Sequence, residues 1–203
     1  MDLPQRKRQR LKDFDYSQNG AYFVTVCTQG KRCLFGYIQQ GKLHLNAAGK
    51  MVERHLLKMQ NAQGVSVEQY KVMPNHIHIL LVLQRENSGT TPRSFPAVSS
   101  LMQGFKAVTT AEYVRLVKTG KCPAFQSRIW QKSFHDHIVR GEKDFLKIWE
   151  YIAYNELKWE QDCFYVQTEN PAQSELENLY VKKRNDTGVV PYDIQKIDKV
   201  RTK

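Results

Sequence analysis

The chain of 203 residues has no long apolar run: no stretch approaches the ~18 residues that span a bilayer, and residues 79–83 are among the longest. A membrane-spanning role is therefore not expected. Cysteine is scarce and scattered, with Cys27, Cys33, Cys122 and Cys163 at wide spacings and no C-x-x-C pair, which speaks against a zinc knuckle and gives no reason to expect disulfides. Acidic residues are in deficit, 20 against 31 Lys and Arg, so the chain carries +11 and favours a polyanionic partner. The basic start, residues 1–10, has no apolar segment behind it, so no secretory signal is expected and the cytosol is the expected compartment.

What is present suffices for one core: 41% hydrophobic and 11% aromatic residues in a chain of single-domain length. Residues 1–20 read as a polar, basic arm that ends in a turn signal before a β-rich run at 21–28. Residues 34–38 and 42–45 flank Gly41 as a short hairpin, and 46–60 carry Met51, Val52, Leu56, Leu57 and Met59 at helical spacing. Two further strands are predicted at 65–73 and 76–83, then a flexible loop at 86–94. A helix from Val98 has Leu101, Phe105, Val108, Tyr113 and Leu116 on its apolar side, with Lys106, Arg115 and Lys118 along it. The last patterned element is a helix over 142–157, whose Phe145, Ile148, Trp149 and Ile152 mark a buried face. Beyond 162 the pattern fades, and 163–203 read as a loosely packed or partly disordered tail. The order of elements predicts an α+β fold, a mainly antiparallel sheet with helices packed on it.

Within the strand at 76–83, His76 and His78 stand two residues apart, so both imidazoles leave the same face while Ile77 and Ile79 point to the other. Two converging ring nitrogens on a rigid strand suit two ligands of one metal ion. The same spacing also serves two histidines satisfied by hydrogen bonds in a sheet, the commoner fate of an isolated H-x-H. A histidine-triad hydrolase would need a third histidine where Leu80 stands, and a zincin helix would need histidines four apart around a glutamate. On the helix at 142–157, Tyr151 and Asn155 fall together on one flank of the apolar stripe, whereas Tyr154 projects nearly opposite to it and should face solvent. Tyr151 is thus the tyrosine better placed for a cleft beside the sheet. His135 and His137 form a second H-x-H, a competing metal pair if they lay on a strand, but the apolar strand flanks seen around His76 are missing there.

Several stretches together resemble the REP-associated tyrosine transposases, relatives of the bacterial insertion-sequence transposases with one catalytic tyrosine. Met73-Pro-Asn-His-Ile-His78 resembles their His-hydrophobic-His motif, Gly20-Ala-Tyr-Phe-Val-Thr-Val-Cys-Thr28 with Leu34-Phe-Gly36 their entry segment, and Trp130-Gln-Lys-Ser-Phe-His-Asp-His-Ile-Val-Arg140 their Trp-Gln and Asp-His block. Tyr151-Ile152 with Asn155 and Lys158-Trp159 resembles the tyrosine helix, and the likeness runs in order from about residue 8 to 162. One departure is that Glu156 follows Asn155 where the family often has proline, which would let the helix run on.

The resemblance implies a ferredoxin-like or RRM-like HUH nuclease core over 21–162. It implies that Tyr151 attacks a DNA phosphodiester to give a 5′-phosphotyrosine and a free 3′-hydroxyl, a nicking and joining reaction that needs no ATP. His76 and His78 would hold a divalent metal, Mg²⁺ or Mn²⁺, with Asn155 as third ligand through its amide oxygen. Asp136 and His137 would support the site or lie near it. Single-stranded or hairpin DNA is the implied partner, with room for a homodimer that shares sites between copies. Arg6, Lys7, Arg8, Arg10 and Lys12 on the arm, with Lys106 and Arg115, are the expected DNA contacts. The alternative is a nucleic-acid binder of the same fold without catalysis, while a replication or conjugation nickase would carry further domains.

Overall fold

In the computed structural model, the residues described are 18–84, 97–125 and 127–166. The expectations placed on the arm at 6–12, the loop at 86–94 and the tail from 167 onward lie outside them. Among the described residues, six strands and three α-helices succeed one another: β1 (Gly20–Cys27), β2 (Gly36–Gln39), β3 (Lys42–Leu45), α1 (Ala47–Lys58), β4 (Val65–Val72), β5 (His76–Leu83), α2 (Val98–Lys118), β6 (His135–Ile138) and α3 (Glu142–Ala153).

β4, β5, β1 and β6 form one antiparallel sheet in that order, and β2 with β3 forms a separate hairpin. With the hairpin set aside, the chain runs β-α-β-β-α-β with the first and third core strands in the middle, the ferredoxin-like arrangement. The α+β expectation therefore holds.

Alternation along the strands sorts the sheet into two unlike faces. Ile77, Ile79 and Leu81 on β5, with Tyr22, Val24 and Val26 on β1, join Met51, Val52 and Leu56 of α1 and Met102, Phe105 and Tyr113 of α2 in the main core. On the other face Leu80 and Phe23 pack against Phe145, Ile148 and Ile152 of α3. Burying each of these large side chains contributes roughly 1.5–3 kcal/mol, so α3 is clamped over the part of the sheet next to the two histidines.

Local signals explain the helix ends. Asn46 caps α1, its side chain accepting from the Gly49 amide at 3.0 Å. On α3, the amide of Arg140 donates to Asp144 Oδ2 at 2.9 Å and His137 Nε2 lies 2.8 Å from the same oxygen, tying the start of the helix to β6.

Three expectations need correction. The helix expected over 142–157 stops at Ala153, although no proline ends it, and continues as a 3₁₀ run over Asn155–Gln161. The tighter winding turns Asn155 and Trp159 inward, and both are buried. Trp149 is 41% and Val108 47% exposed, so neither belongs to the buried stripe assigned to it; Ile148 and Ile152 on α3, and Met102, Phe105, Thr109 and Tyr113 on α2, are the residues that do. Finally, His135 and His137 do lie on a strand: β6 is only four residues long and sits at the sheet edge, too short and too polar to show a strand pattern.

Candidate active site

His76 and His78 are almost wholly buried, at 0% and 1% exposure. Their Nε2 atoms face each other at 2.9 Å. Both rings are held from behind. Thr25, the cross-strand partner of His78, places Oγ1 2.8 Å from its Nδ1. Asn75 Oδ1 lies 2.8 Å from His76 Nδ1.

The amide orientation of Asn75 is set by its surroundings, because Nδ2 donates to two backbone carbonyls, Lys31 at 3.1 Å and Phe164 at 2.8 Å. With Nδ2 committed to carbonyls, Oδ1 must accept from His76, so His76 carries its proton on Nδ1 and turns an unprotonated Nε2 toward His78. That is the tautomer a metal ligand needs.

The turn that carries Asn75 is itself stitched in place. Its carbonyl accepts from the Thr28 amide at 2.8 Å, the Pro74 carbonyl accepts from Phe35 at 3.0 Å, and Met73 donates to the carbonyl of His76 at 2.8 Å.

Tyr151 reaches this pair from α3. Its hydroxyl lies 3.4 Å from His78 Nε2, and its ring packs edge-on against Phe23 and His78, with centroids 5.9 and 5.2 Å apart. The side chain is 43% exposed, so the hydroxyl stands at the rim of the buried pair. Tyr154 is 55% exposed and makes no such approach.

Asp162 completes the group, although no sequence pattern pointed to it. Its Oδ2 is 3.9 Å from His76 Nε2, 3.5 Å from the Tyr151 hydroxyl and 3.1 Å from Asn155 Nδ2, while Oδ1 accepts from the Phe164 amide at 2.7 Å. Ligand atoms of His76, His78 and Asp162 all lie within 4.8 Å of one another, the sole such group among the described residues. No periodic signal marks Asp162, because it comes after a 3₁₀ run and reaches the histidines through tertiary folding alone.

Asn155 is buried beside it. The amide nitrogen serves Asp162, and Oδ1 is buried without a hydrogen-bond partner.

The protonation preferences arise from this crowding. Burial, then the charge of His78, drives His76 well below the usual imidazole range, against the pull of Asp162. Burial also lowers His78. Both rings are therefore neutral near pH 7, ready to act as ligands. Burial alone would raise the Asp162 carboxyl, but His78, the Phe164 amide and His76 outweigh it and hold the acid well below the carboxylate range. Burial, then the Asp162 charge, pushes the Tyr151 phenol up to about 12, so ionising it requires additional positive charge.

Other expected site residues are spread more widely. Val24, which faces the main core, is the cross-strand partner of Asp136, so Asp136 projects to the sheet face opposite the histidines, where its Oδ1 is buried without a partner. His137 serves Asp144 as described. Lys106 Nζ donates to the carbonyls of Gln131 at 3.0 Å and Ser133 at 2.8 Å, and Arg115 is exposed on α2. No helix among the described residues is long and apolar enough to cross a membrane.

Known proteins resemble much of the chain. Residues 21–155 match the family described as IS200-like transposases. An uncharacterized protein of Haemophilus influenzae is 34% identical over 170 residues, covering 79% of this chain and 93% of its own length. A second protein of that organism, provisionally named a REP-associated tyrosine transposase, is 27% identical over 146 residues, 71% of this chain and 74% of its own. Among solved structures, a REP-associated tyrosine transposase bound to a REP hairpin aligns with a TM-score of 0.49 at 20% identity, over 77% of this chain and 74% of that one. A provisionally assigned transposase from Deinococcus radiodurans aligns with a TM-score of 0.43 at 15% identity, over 72% and 96%.

Proposed function

The chain belongs to the IS200-like transposase family, and we propose that it nicks and rejoins single-stranded or hairpin DNA through attack by Tyr151 on a phosphodiester. The observation that carries this reading is the Tyr151 hydroxyl, 3.4 Å from an imidazole nitrogen of a converging histidine pair. A nucleophile must be exposed enough to meet a polymer backbone and close enough to positive charge to be ionised; Tyr151 is exposed, and it borders the donors that would hold a cation.

The donor set fits a divalent cation. Two neutral imidazole nitrogens and a carboxylate oxygen converge, and the buried Oδ1 of Asn155 lacks the partner that a polar atom of this kind normally finds. His76, His78 and Asp162 would hold the ion, with Asn155 Oδ1 as a further oxygen donor beside them. Mg²⁺ or Mn²⁺ suits a site that DNA and water oxygens complete. When bound, such an ion supplies positive charge to the phosphate and to the phenol oxygen.

The remaining steps belong to the chain. Thr25 and Asn75 fix the imidazoles, Phe23 and His78 hold the Tyr151 ring on edge, and the phenol oxygen attacks phosphorus to form a 5′-phosphotyrosine while the 3′-oxygen departs. The ester keeps the energy of the broken bond, so a 3′-hydroxyl of another end can reverse the attack and seal the strand. The arm residues Arg6, Lys7, Arg8, Arg10 and Lys12, and the exposed Arg115, are cations available to DNA phosphates. A DNA substrate is consistent with a cytoplasmic enzyme, acting as a monomer or as a homodimer.

The test is a panel of labelled hairpin oligonucleotides incubated with Mg²⁺ or Mn²⁺ and resolved under denaturing conditions. The unaltered protein gives a protein-DNA adduct that survives denaturation, Tyr151→Phe gives none, and His76→Ala loses most of it. An adduct that persists in Tyr151→Phe rules the assignment out, and DNA binding without any adduct points to the non-catalytic alternative.

A further inference from the structure

The Tyr151 hydroxyl turns in toward the histidines, while the helix that carries it presents further side chains to solvent on the same flank. At about 100° per residue, Lys147, Tyr154 and Lys143 stand about 40°, 60° and 80° round α3 from Tyr151, all on the side away from the buried Ile148 and Ile152. All three are exposed, Tyr154 at 55%. Tyr154 belongs to the same winding, because its amide still donates to the Glu150 carbonyl at 3.0 Å. At 1.5 Å per residue, Lys143 and Lys147 lie about 12 and 6 Å before the nucleophile along the axis, and Tyr154 about 4.5 Å beyond it.

None of the three is committed within the fold. Among the described residues no ion pair or side-chain hydrogen bond holds the Lys143 or Lys147 ammonium, whereas Lys71 pairs with Glu156 at 3.4 Å and Lys106 donates to the carbonyls of Gln131 and Ser133. Asp144, three residues before Lys147, is taken up by His137 and the Arg140 amide.

We propose that this flank of α3 is a track for single-stranded DNA: with the scissile phosphate at the Tyr151 hydroxyl, Lys147 and then Lys143 hold the phosphates on one side of the cut, and Tyr154 stacks the first base on the other. This rests on the strand-cleaving reading above.

Charge and chemistry favour that occupant. Two cations one helical turn apart, in line with the nucleophile, match a regularly repeating anion, and the strand to be cut is one. An exposed aromatic face takes up any unpaired base, while a base inside a duplex has its faces covered by its neighbours. The large apolar side chains that α3 shows to solvent, Leu146 and Trp149, lie about 140° and 160° from Tyr151, so this flank lacks the apolar area on which a protein partner would rely. Glu150 stands about 100° round, at the edge of the arc, where its charge opposes a strand.

The test uses a hairpin oligonucleotide on which the unaltered protein forms its adduct, so that the cut is mapped, and reads affinity for the Tyr151→Phe protein by fluorescence anisotropy over a range of salt. Adding Lys143→Ala and Lys147→Ala together is expected to lower the slope of log affinity against log salt by about 0.7 per lysine. Uncharged methylphosphonates on one side of the cut lower it equally in the parent and no further in the lysine variant. Lys50→Ala, an exposed lysine of α1 on the opposite face of the sheet, is the control and leaves the slope unchanged.

Tyr154→Leu keeps an apolar side chain but no ring, and is expected to weaken binding about fivefold to a hundredfold, with Tyr154→Phe and Tyr154→Trp within about threefold of the parent. An abasic nucleotide beside the cut, on the side opposite the sensitive phosphates, abolishes the difference between Tyr154→Leu and its parent. Glu150→Gln tightens binding.

An unchanged salt slope, an equal fall with Lys50→Ala, or full affinity in Tyr154→Leu overturns the inference. So does an abasic-sensitive position on the same side of the cut as the sensitive phosphates. Those results leave the adduct, and with it the strand-cleaving reading, in place. Failure of the unaltered protein to form an adduct on any hairpin removes that reading, and this inference with it.

Discussion

Asn75→Ala would test how much of the site depends on one buried amide. The side chain is 1% exposed and makes three hydrogen bonds, to the Lys31 carbonyl, the Phe164 carbonyl and His76 Nδ1. A buried partner left unpaired costs about 1–3 kcal/mol. The Lys31 carbonyl belongs to an exposed residue and can turn to water, whereas fully buried His76 cannot, so the expected loss is about 2–4 kcal/mol rather than the sum of three such costs. At about 2–4 °C per kcal/mol for a domain of this size, Tm falls by about 4–16 °C in thermal unfolding. The same variant frees the His76 ring, and losing such an orienting partner typically weakens metal binding about 10–100-fold, read by Mn²⁺ titration calorimetry. Asn75→Asp separates the two effects. It keeps an acceptor for His76 Nδ1 but sets an oxygen against two carbonyls, so Tm drops while Mn²⁺ affinity holds or rises. If Asn75→Ala melted within about 2 °C of the unaltered protein and gave a superimposable Mn²⁺ titration, the tautomer assignment and the stitched turn would both be wrong.

Two further perturbations probe the scaffold. Gly49→Ala in α1 ought to stabilise a helix by up to about 1 kcal/mol on intrinsic preference, but a Cβ there would stand 2.1 Å from the Phe35 carbonyl oxygen and 2.8 Å from Leu45 Cδ2, so Tm is expected to fall; a rise would refute the close approach. His55, and with it Arg54, holds the Glu112 carboxyl below its ordinary value of 4.5 despite the opposing effect of burial. A carboxyl lowered on folding adds stability that is present above its unfolded value and is lost as pH falls through the folded one. Glu112→Gln should therefore flatten the acid side of the stability profile below about pH 4.5 in urea titrations, and an unchanged slope there would count against the contact.

Much of the fold could be read in advance because local pattern and tertiary demand agree. β5 carries apolar residues on both faces, α1 has its apolar residues at helical spacing, and the hairpin is announced by its turn glycine. β6 could not be read so: its four residues pair only with β1, and an edge strand that short has too few alternations to register as a period. α3 was legible at its start and not at its end, since the change to 3₁₀ winding after Ala153 answers to what Asn155 and Trp159 pack against rather than to a helix-breaking residue.

The site divides along the same line. Sequence alone determined that His76 and His78 share a face, because a strand repeats every two residues, and that Tyr151 rather than Tyr154 borders the apolar stripe, because a helix advances by a fixed angle. Both are rules of local geometry. Tertiary structure alone decided that Tyr151 meets His78, that Asp162 joins the two histidines in a group that could hold a metal ion, and that Asn75 links a histidine to the loop of Lys31. Those residues lie up to 131 positions apart, and no spacing rule relates them; only the antiparallel register and the packing of α3 over Leu80 bring them within a few ångströms.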